Sequence, residues 1–300
     1  MTHLTAPVEH APVASTQGNS PTRPAPRGEP LLVIRPPDAW PSLNLHEVWQ
    51  YRDLLLLLAW RDISARYRQS IVGYGWAVIK PLLSMLMYTL VFGMFLKVPS
   101  GGLPYALMNL AALVPWMFFA NALQGAVTSV SNNGALLSKV YFPRLLLPLS
   151  SLMFCLVELL IQVGMLFVLM AWFGHVPNWT VVFAPLYLLG VMLVSVSGGL
   201  WLTALNVRYR DVGQIVPFFL QIFMYVCPVV YPASAVPERF RWAYNLNPMA
   251  GLISGFQSAM LGTAPPDFIT LSISMTAVIV LMVGSVCYFR RCEATFADIV

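Results

Sequence analysis

The chain has 300 residues, 58% hydrophobic and only 10% charged, with a mean hydropathy of +0.71. An ordinary soluble domain carries about 25% charged residues, so the composition excludes one and points to a membrane-embedded protein. The net charge of +5 does not argue for a nucleic-acid partner, because the basic residues flank apolar runs and read as charge at a membrane surface.

Residues 1–42 form a Pro-rich class of their own. Pro21-Thr-Arg-Pro-Ala-Pro-Arg-Gly and Arg35-Pro-Pro cannot hold a helix or a central strand. The segment has no apolar core like that of a secretory signal. We expect a disordered cytoplasmic tail, with a short partner-binding motif as the alternative. Residues 43–72 carry Leu45, Val48, Trp49, Leu55, Leu58 and Ile63 at helical spacing, interrupted by Arg52, Asp53, Arg61, Asp62, Arg66 and Arg68. The apolar run 54–60 is too short to span. It suits an amphipathic interface helix whose Arg61, Arg66 and Arg68 meet anionic headgroups of membrane lipid. A helix packed on a soluble partner is the alternative.

Six apolar stretches then follow, each near the ~20 residues that a spanning helix needs. They lie at about 74–96, 107–128, 146–173, 181–205, 212–230 and 269–289. No Asp, Glu, Lys or Arg falls between His175 and Arg208. In the 129–145 loop, Ser131-Asn132-Asn133 offers helix-capping chemistry, and 136–142 can form exposed turns ending at Pro143. Such a loop either docks into a partner or seals the membrane surface. Between spans five and six, Asn247-Pro248 introduces an apolar run at 249–261, too short to cross. We expect two short half-helices over 231–266, dipping in from the outer side; a seventh span is the alternative. Placing both termini and the 129–145 and 206–211 loops in the cytoplasm leaves only Lys97, Arg239 and Arg241 of the 17 Lys and Arg outside.

Cys155, Cys227, Cys287 and Cys292 include no Cys-x-x-Cys pair and predict neither a disulfide framework nor a zinc site. No His-Glu-x-x-His, serine elbow or carboxylate cluster suggests catalysis or metal binding. No P-loop suggests nucleotide binding. Uphill transport would need ions or another subunit. Glu158, the one acid well inside a span, is either a relay or a structural acid bonded across a helix interface. Aromatic residues are more numerous: Tyr88, Phe92, Tyr105, Trp116, Phe118, Phe119, Phe218, Phe219, Phe223 and Tyr225. Sugar rings stack on such faces, and from this set Tyr88, Phe92, Trp116, Phe119, Phe219 and Tyr225 are the candidate glycan-pathway residues. Packing and interfacial belts are the plainer reading of each one.

Separated motifs in order resemble one family. Arg61-Asp-Ile-Ser-Ala-Arg66-Tyr-Arg68-Gln-Ser-Ile-Val-Gly73-Tyr-Gly75-Trp76 is similar to the opening segment of the ABC-2 type permeases of polysaccharide exporters. Asn132-Asn-Gly-Ala-Leu-Leu-Ser-Lys139-Val-Tyr-Phe-Pro143-Arg144 and Asn206-Val-Arg208-Tyr-Arg210-Asp211 resemble that family's first two cytoplasmic loops. Tyr244-Asn-Leu-Asn247-Pro248-Met resembles its exterior segment, and Phe296-Ala297-Asp298 its tail. The resemblance covers 43–300.

It implies an all-α membrane protein with six transmembrane helices, an N-terminal interface helix and re-entrant helices before the last span. It also implies a bacterial inner-membrane location, a second permease copy, and two partner ABC ATPase subunits that hold ATP and Mg. The cargo would be a polyprenyl-diphosphate-linked polysaccharide, read as O-antigen, with capsule or teichoic acid as alternatives. Coupling to the ATPase would fall on Asn132, Leu136, Leu137, Lys139, Tyr141 and Arg144. No cofactor is expected in this chain, which is read as a transport subunit and not an enzyme. A membrane glycosyltransferase or polymerase and a secondary transporter are the rivals of other classes.

Overall fold

A computed structural model describes residues 49–67, 72–137, 142–264 and 268–293. Among these residues the fold is all helical. Helix α1 is Arg52–Tyr67, α2 is Trp76–Tyr88, α3 is Tyr105–Asn132, α4 is Gly134–Leu137 and α5 is Leu146–Trp172. Helix α6 is Ala184–Arg208, α7 is Val212–Val226, α8 is Arg241–Leu246, α9 is Pro248–Leu261 and α10 is Phe268–Glu293. The tail predicted at 1–42, residues 43–48 and 68–71 of the interface helix predicted at 43–72, and the tail motif at 296–298 lie outside the described residues.

Among the described residues, five stretches are long and apolar enough to cross a membrane: Gly73–Phe95, Tyr105–Asn132, Leu146–Trp172, Trp179–Arg208 and Ile269–Cys292. These match the first four predicted spans and the last. The predicted fifth span is the shorter apolar helix α7, of 15 residues. At 1.5 Å per residue it covers about 22 Å, less than a ~30 Å hydrocarbon core. The chain leaves the helix at Cys227 yet stays buried through Val230. Non-helical backbone is tolerated at such depth only where protein satisfies its polar groups. Helix α3 does so: Tyr105 Oη donates to the Val230 carbonyl at 2.6 Å, and Asn109 Nδ2 to the Val229 carbonyl at 3.1 Å.

Helix α3 is the axis of the molecule. It packs against α2, α5, α6, α7 and α9, and 78% of its most apolar window is buried, against 11% for the first span. Close approach explains the contact with α6. A Cβ on Gly199 would stand 2.8 Å from that of Ala126, so the missing side chain lets the backbones meet. Thr203 Oγ1 uses the proximity to donate to the Ala126 carbonyl at 2.8 Å.

The region between α7 and α10 contains short helices, as predicted. Asn247 caps α9, its Oδ1 accepting from Met249 N at 3.0 Å, and Gly262 ends it in the left-handed region at φ 66°. Helix α9 is buried against α3, α6 and α10. It fits because Gly251 and Gly255 share one face: a Cβ on Gly251 would strike Ser274 Oγ, and one on Gly255 the ring of Tyr187.

Two features depart from simple expectation. The first span does not end as an α-helix but widens into a π-helix over Thr89–Phe95, a form that often marks functional positions. Helix α1 is not a clean two-faced amphipath. Leu58, Ala59 and Ile63 are buried, while Leu56, Leu57 and Trp60 are exposed. One apolar side packs on α5; the other is left for a different apolar surface.

Candidate functional site

Two regions gather the residues that the sequence singled out. The first is the end of α3 with the loops beside it. Asn133 stops α3, its Nδ2 donating to the Ser129 carbonyl at 2.8 Å, one of the acceptors a helix C-terminus leaves over. Asn133, one of the three residues offering helix-capping chemistry, closes α3 with its side chain and precedes α4, its carbonyl accepting from Leu136 N at 3.0 Å. Its Oδ1 accepts from Arg61 Nη2 at 2.8 Å, joining α1 to the loop. Arg61 also meets Asp62 at 2.9 Å, but with side chains 46% and 31% exposed such a neighbour pair contributes about 0–1 kcal/mol. The structural consequence of Arg61 is therefore its bridge to Asn133. Leu136 packs half-buried against a cluster containing Leu58, Val130, Phe142 and Leu146. Apolar contact and hydrogen bond thus tie α1 and the loop after α3 into one unit.

The second loop is tied to the same place. Asn206, buried near the end of α6, donates through Nδ2 to the Val127 carbonyl at 2.9 Å and to Ser131 Oγ at 3.2 Å. Its Oδ1 accepts from Gly213 N at 2.8 Å. One amide thereby holds the ends of α3 and α6 and the start of α7. Arg208, two residues on, is exposed and lies over the Tyr209 ring at 5.4 Å.

The predicted coupling residues are distributed as follows. Asn132 is exposed at the last position of α3, Leu136 is half-buried on α4, Leu137 is the last residue of α4, and Arg144 is half-buried. Lys139 and Tyr141 lie outside the described residues, as does Arg68. Arg66 falls on α1, while its side chain lies outside what is described.

The second region is aromatic. Trp116 and Phe119 on α3 meet Phe223 on α7 at centroid distances of 5.9 and 6.2 Å, and Phe219 stacks on Phe223 at 5.3 Å. On α2, Tyr88 approaches Phe92 at 6.2 Å and donates to Met224 Sδ at 3.4 Å. The rings of α2, α3 and α7 therefore form one neighbourhood, with unequal exposure. Trp116 and Phe119 are each 5% exposed, whereas Phe219 is 50% and Tyr225 49%. The α3 rings pack; the α7 rings, with half-buried Tyr88 and Phe92, present a surface.

Glu158 on α5 has an amide partner across a helix interface, accepting at Oε2 from Asn121 Nδ2 at 3.1 Å. Asn121, Gln124, Asn133 and Asn206 were not among the sequence's site residues. The signal for the first two was an amide pair inside an uncharged run. The other two take their meaning from partners that spacing does not show.

Comparison with known proteins follows the same outline. A family model described as ABC-2 type transporter matches residues 53–261. The O-antigen export system permease protein RfbA of Myxococcus xanthus is 30% identical over 256 residues, covering 85% of this chain and 98% of that protein. The protein of the same name from Klebsiella pneumoniae is 27% identical over 249 residues, covering 82% and 95%. The polysialic acid transport protein KpsM of Escherichia coli is 24% identical over 243 residues, covering 78% and 92%.

Proposed function

We infer the function from one premise: the chain belongs to the ABC-2 type transporter family. It is a multi-pass membrane permease for polysaccharide export, and O-antigen is the cargo that its relatives favour. The observation that carries this reading is the near end-to-end match to a permease named for O-antigen export, covering 98% of that protein. The weaker match to a polysialic acid transporter keeps capsular polysaccharide as the second reading.

The finer reading assembles two copies of this chain with two ABC ATPase subunits in the inner membrane, both termini cytoplasmic. ATP and Mg belong to the ATPases, and the cargo is a glycan on a polyprenyl diphosphate. Exposed Leu83, Leu86 and Met87 on α2, with Ile215, Phe218 and Ile222 on α7, offer an apolar seam to the second copy. The Arg61–Asn133 and Asn206 contacts support a role for the loops as a single docking face that transmits ATPase movement. Tyr88, Phe92, Phe219 and Tyr225 are the aromatic wall of the pathway, with Trp116 and Phe119 as its backing.

Deletion of the gene for this chain tests the reading. Loss of surface O-antigen with accumulation of the lipid-linked glycan on the cytoplasmic face is expected. Loss of capsule with intact O-antigen would select the second reading. Purification with the ATPase should yield two copies of each subunit; one permease copy per complex would overturn the assembly.

A further inference from the structure

Helix α3 is covered almost everywhere along its length. Between Tyr105 and Val130 only two residues are exposed, Asn121 and Gln124, and both are amides. A span whose open surface faced acyl chains would expose apolar side chains there, because unpaired amides are costly in hydrocarbon. Asn121, Gln124 and Thr128, at i, i+3 and i+7, share one face. Thr128 is half-buried and donates to the Gln124 carbonyl at 3.3 Å. Helix α5 extends the polar surface: Glu158 accepts from Asn121 at 3.1 Å, and Ser151 Oγ donates to the Gly125 carbonyl at 3.3 Å.

We propose that Asn121, Gln124 and Glu158 form a hydrated polar wall of the translocation pathway that hydrogen-bonds the hydroxyls of the passing glycan. The proposal deepens the polysaccharide-export reading and rests on it. The chemistry selects the sugar over its lipid carrier. Amides both donate and accept, as hydroxyls do, whereas a carboxylate accepts only. The Glu158 carboxyl offers no positive charge to a diphosphate. The wall therefore takes polyol, and no basic residue lies on this face of α3 between Tyr105 and Val130. It differs in kind from the aromatic neighbourhood of α7: rings offer stacking faces, the amides directional bonds.

The test uses the whole permease with its ATPase in membrane vesicles, in a background lacking Cys155, Cys227, Cys287 and Cys292. A permanently charged methanethiosulfonate reagent is applied to Gln124→Cys and to Leu160→Cys, the latter an exposed apolar position at 71%. Gln124→Cys should react at least about tenfold faster, because hydrocarbon excludes the charged reagent. Equal, slow reaction at both positions would overturn the hydrated wall and leave a lipid-facing or subunit-facing surface. Export is then measured in the Asn121→Leu/Gln124→Leu double variant, with ATPase binding as the control. A loss of about tenfold at unchanged ATPase binding is expected from removing two hydrogen-bonding groups. Full export through a reactive wall would overturn the glycan contact. Should the double variant fail to insert, Gln124→Ala, at an exposed position, is read for a roughly threefold loss. If wild type exports no glycan while Gln124→Cys still reacts, the export reading fails and the hydrated wall stands.

Discussion

Single hydrogen bonds decide how this chain ends its short fifth apolar helix. The Val230 carbonyl is buried and receives the hydroxyl of Tyr105 at 2.6 Å. Tyr105→Phe keeps the ring and removes the donor. An acceptor stranded away from water costs about 1–3 kcal/mol, so a lowered thermal midpoint in detergent is expected, with insertion retained. Asn206 acts at the opposite end of α3, where one amide makes three bonds. Asn206→Ala strands the Gly213 N–H and removes the cross-helix bonds to Val127 and Ser131 at once. We expect export per ATP hydrolysed to fall several-fold, in keeping with the loss of buried bonds, while the ATPase remains bound; unchanged coupling would remove this residue from force transmission. Neither role is legible in a sequence read alone. Asn206 stood out only as part of a loop motif, and its partner carbonyl lies 79 residues away.

At the scale of elements, α9 depends on what it lacks. Gly255→Ala puts a methyl group into the Tyr187 ring, and overpacking of a filled core typically costs about 1–3 kcal/mol. The expected outcome is lower yield of folded protein by size-exclusion chromatography, with Gly164→Ala, where a Cβ meets nothing within 4 Å, as the neutral control. The first loop makes a separate prediction. Replacing Leu136, Leu137 and Tyr141 together by Ala should weaken ATPase co-purification, since apolar and aromatic anchors each contribute on the order of 1–2 kcal/mol at an interface. Wild-type binding and export would remove the loop from the mechanism.

The positions of these elements were largely legible, because length, apolar runs and Pro or Gly punctuation are local properties. The faces were less so. Helix α3 is apolar nearly all round, so periodicity could not tell the packed rings of Trp116 and Phe119 from the open rings of α7. The same uniformity makes Asn121 and Gln124 informative, although an amide carries neither the ring nor the charge that marks a site in sequence.

Across the whole molecule, the arrangement has a consequence for biogenesis. Helix α3 is the most enclosed span, with 78% of its window buried, but several of its neighbours come later in the chain. Helices α6, α7 and α9 follow it, and α9 ends at Leu261. At synthesis rates of about 5–20 residues per second, α3 waits on the order of ten seconds for its last partner. During that interval Asn109, whose acceptor is the Val229 carbonyl, and Gln124 are presented to lipid without their final surroundings. Chains truncated after Trp172 should therefore be cleared by membrane proteolysis markedly faster than the full chain in a pulse-chase experiment. Replacing Asn109 and Gln124 by Leu in the truncated form should lengthen its half-life. The polar groups that serve the finished protein would then also set the period in which the nascent chain needs a chaperone at its side.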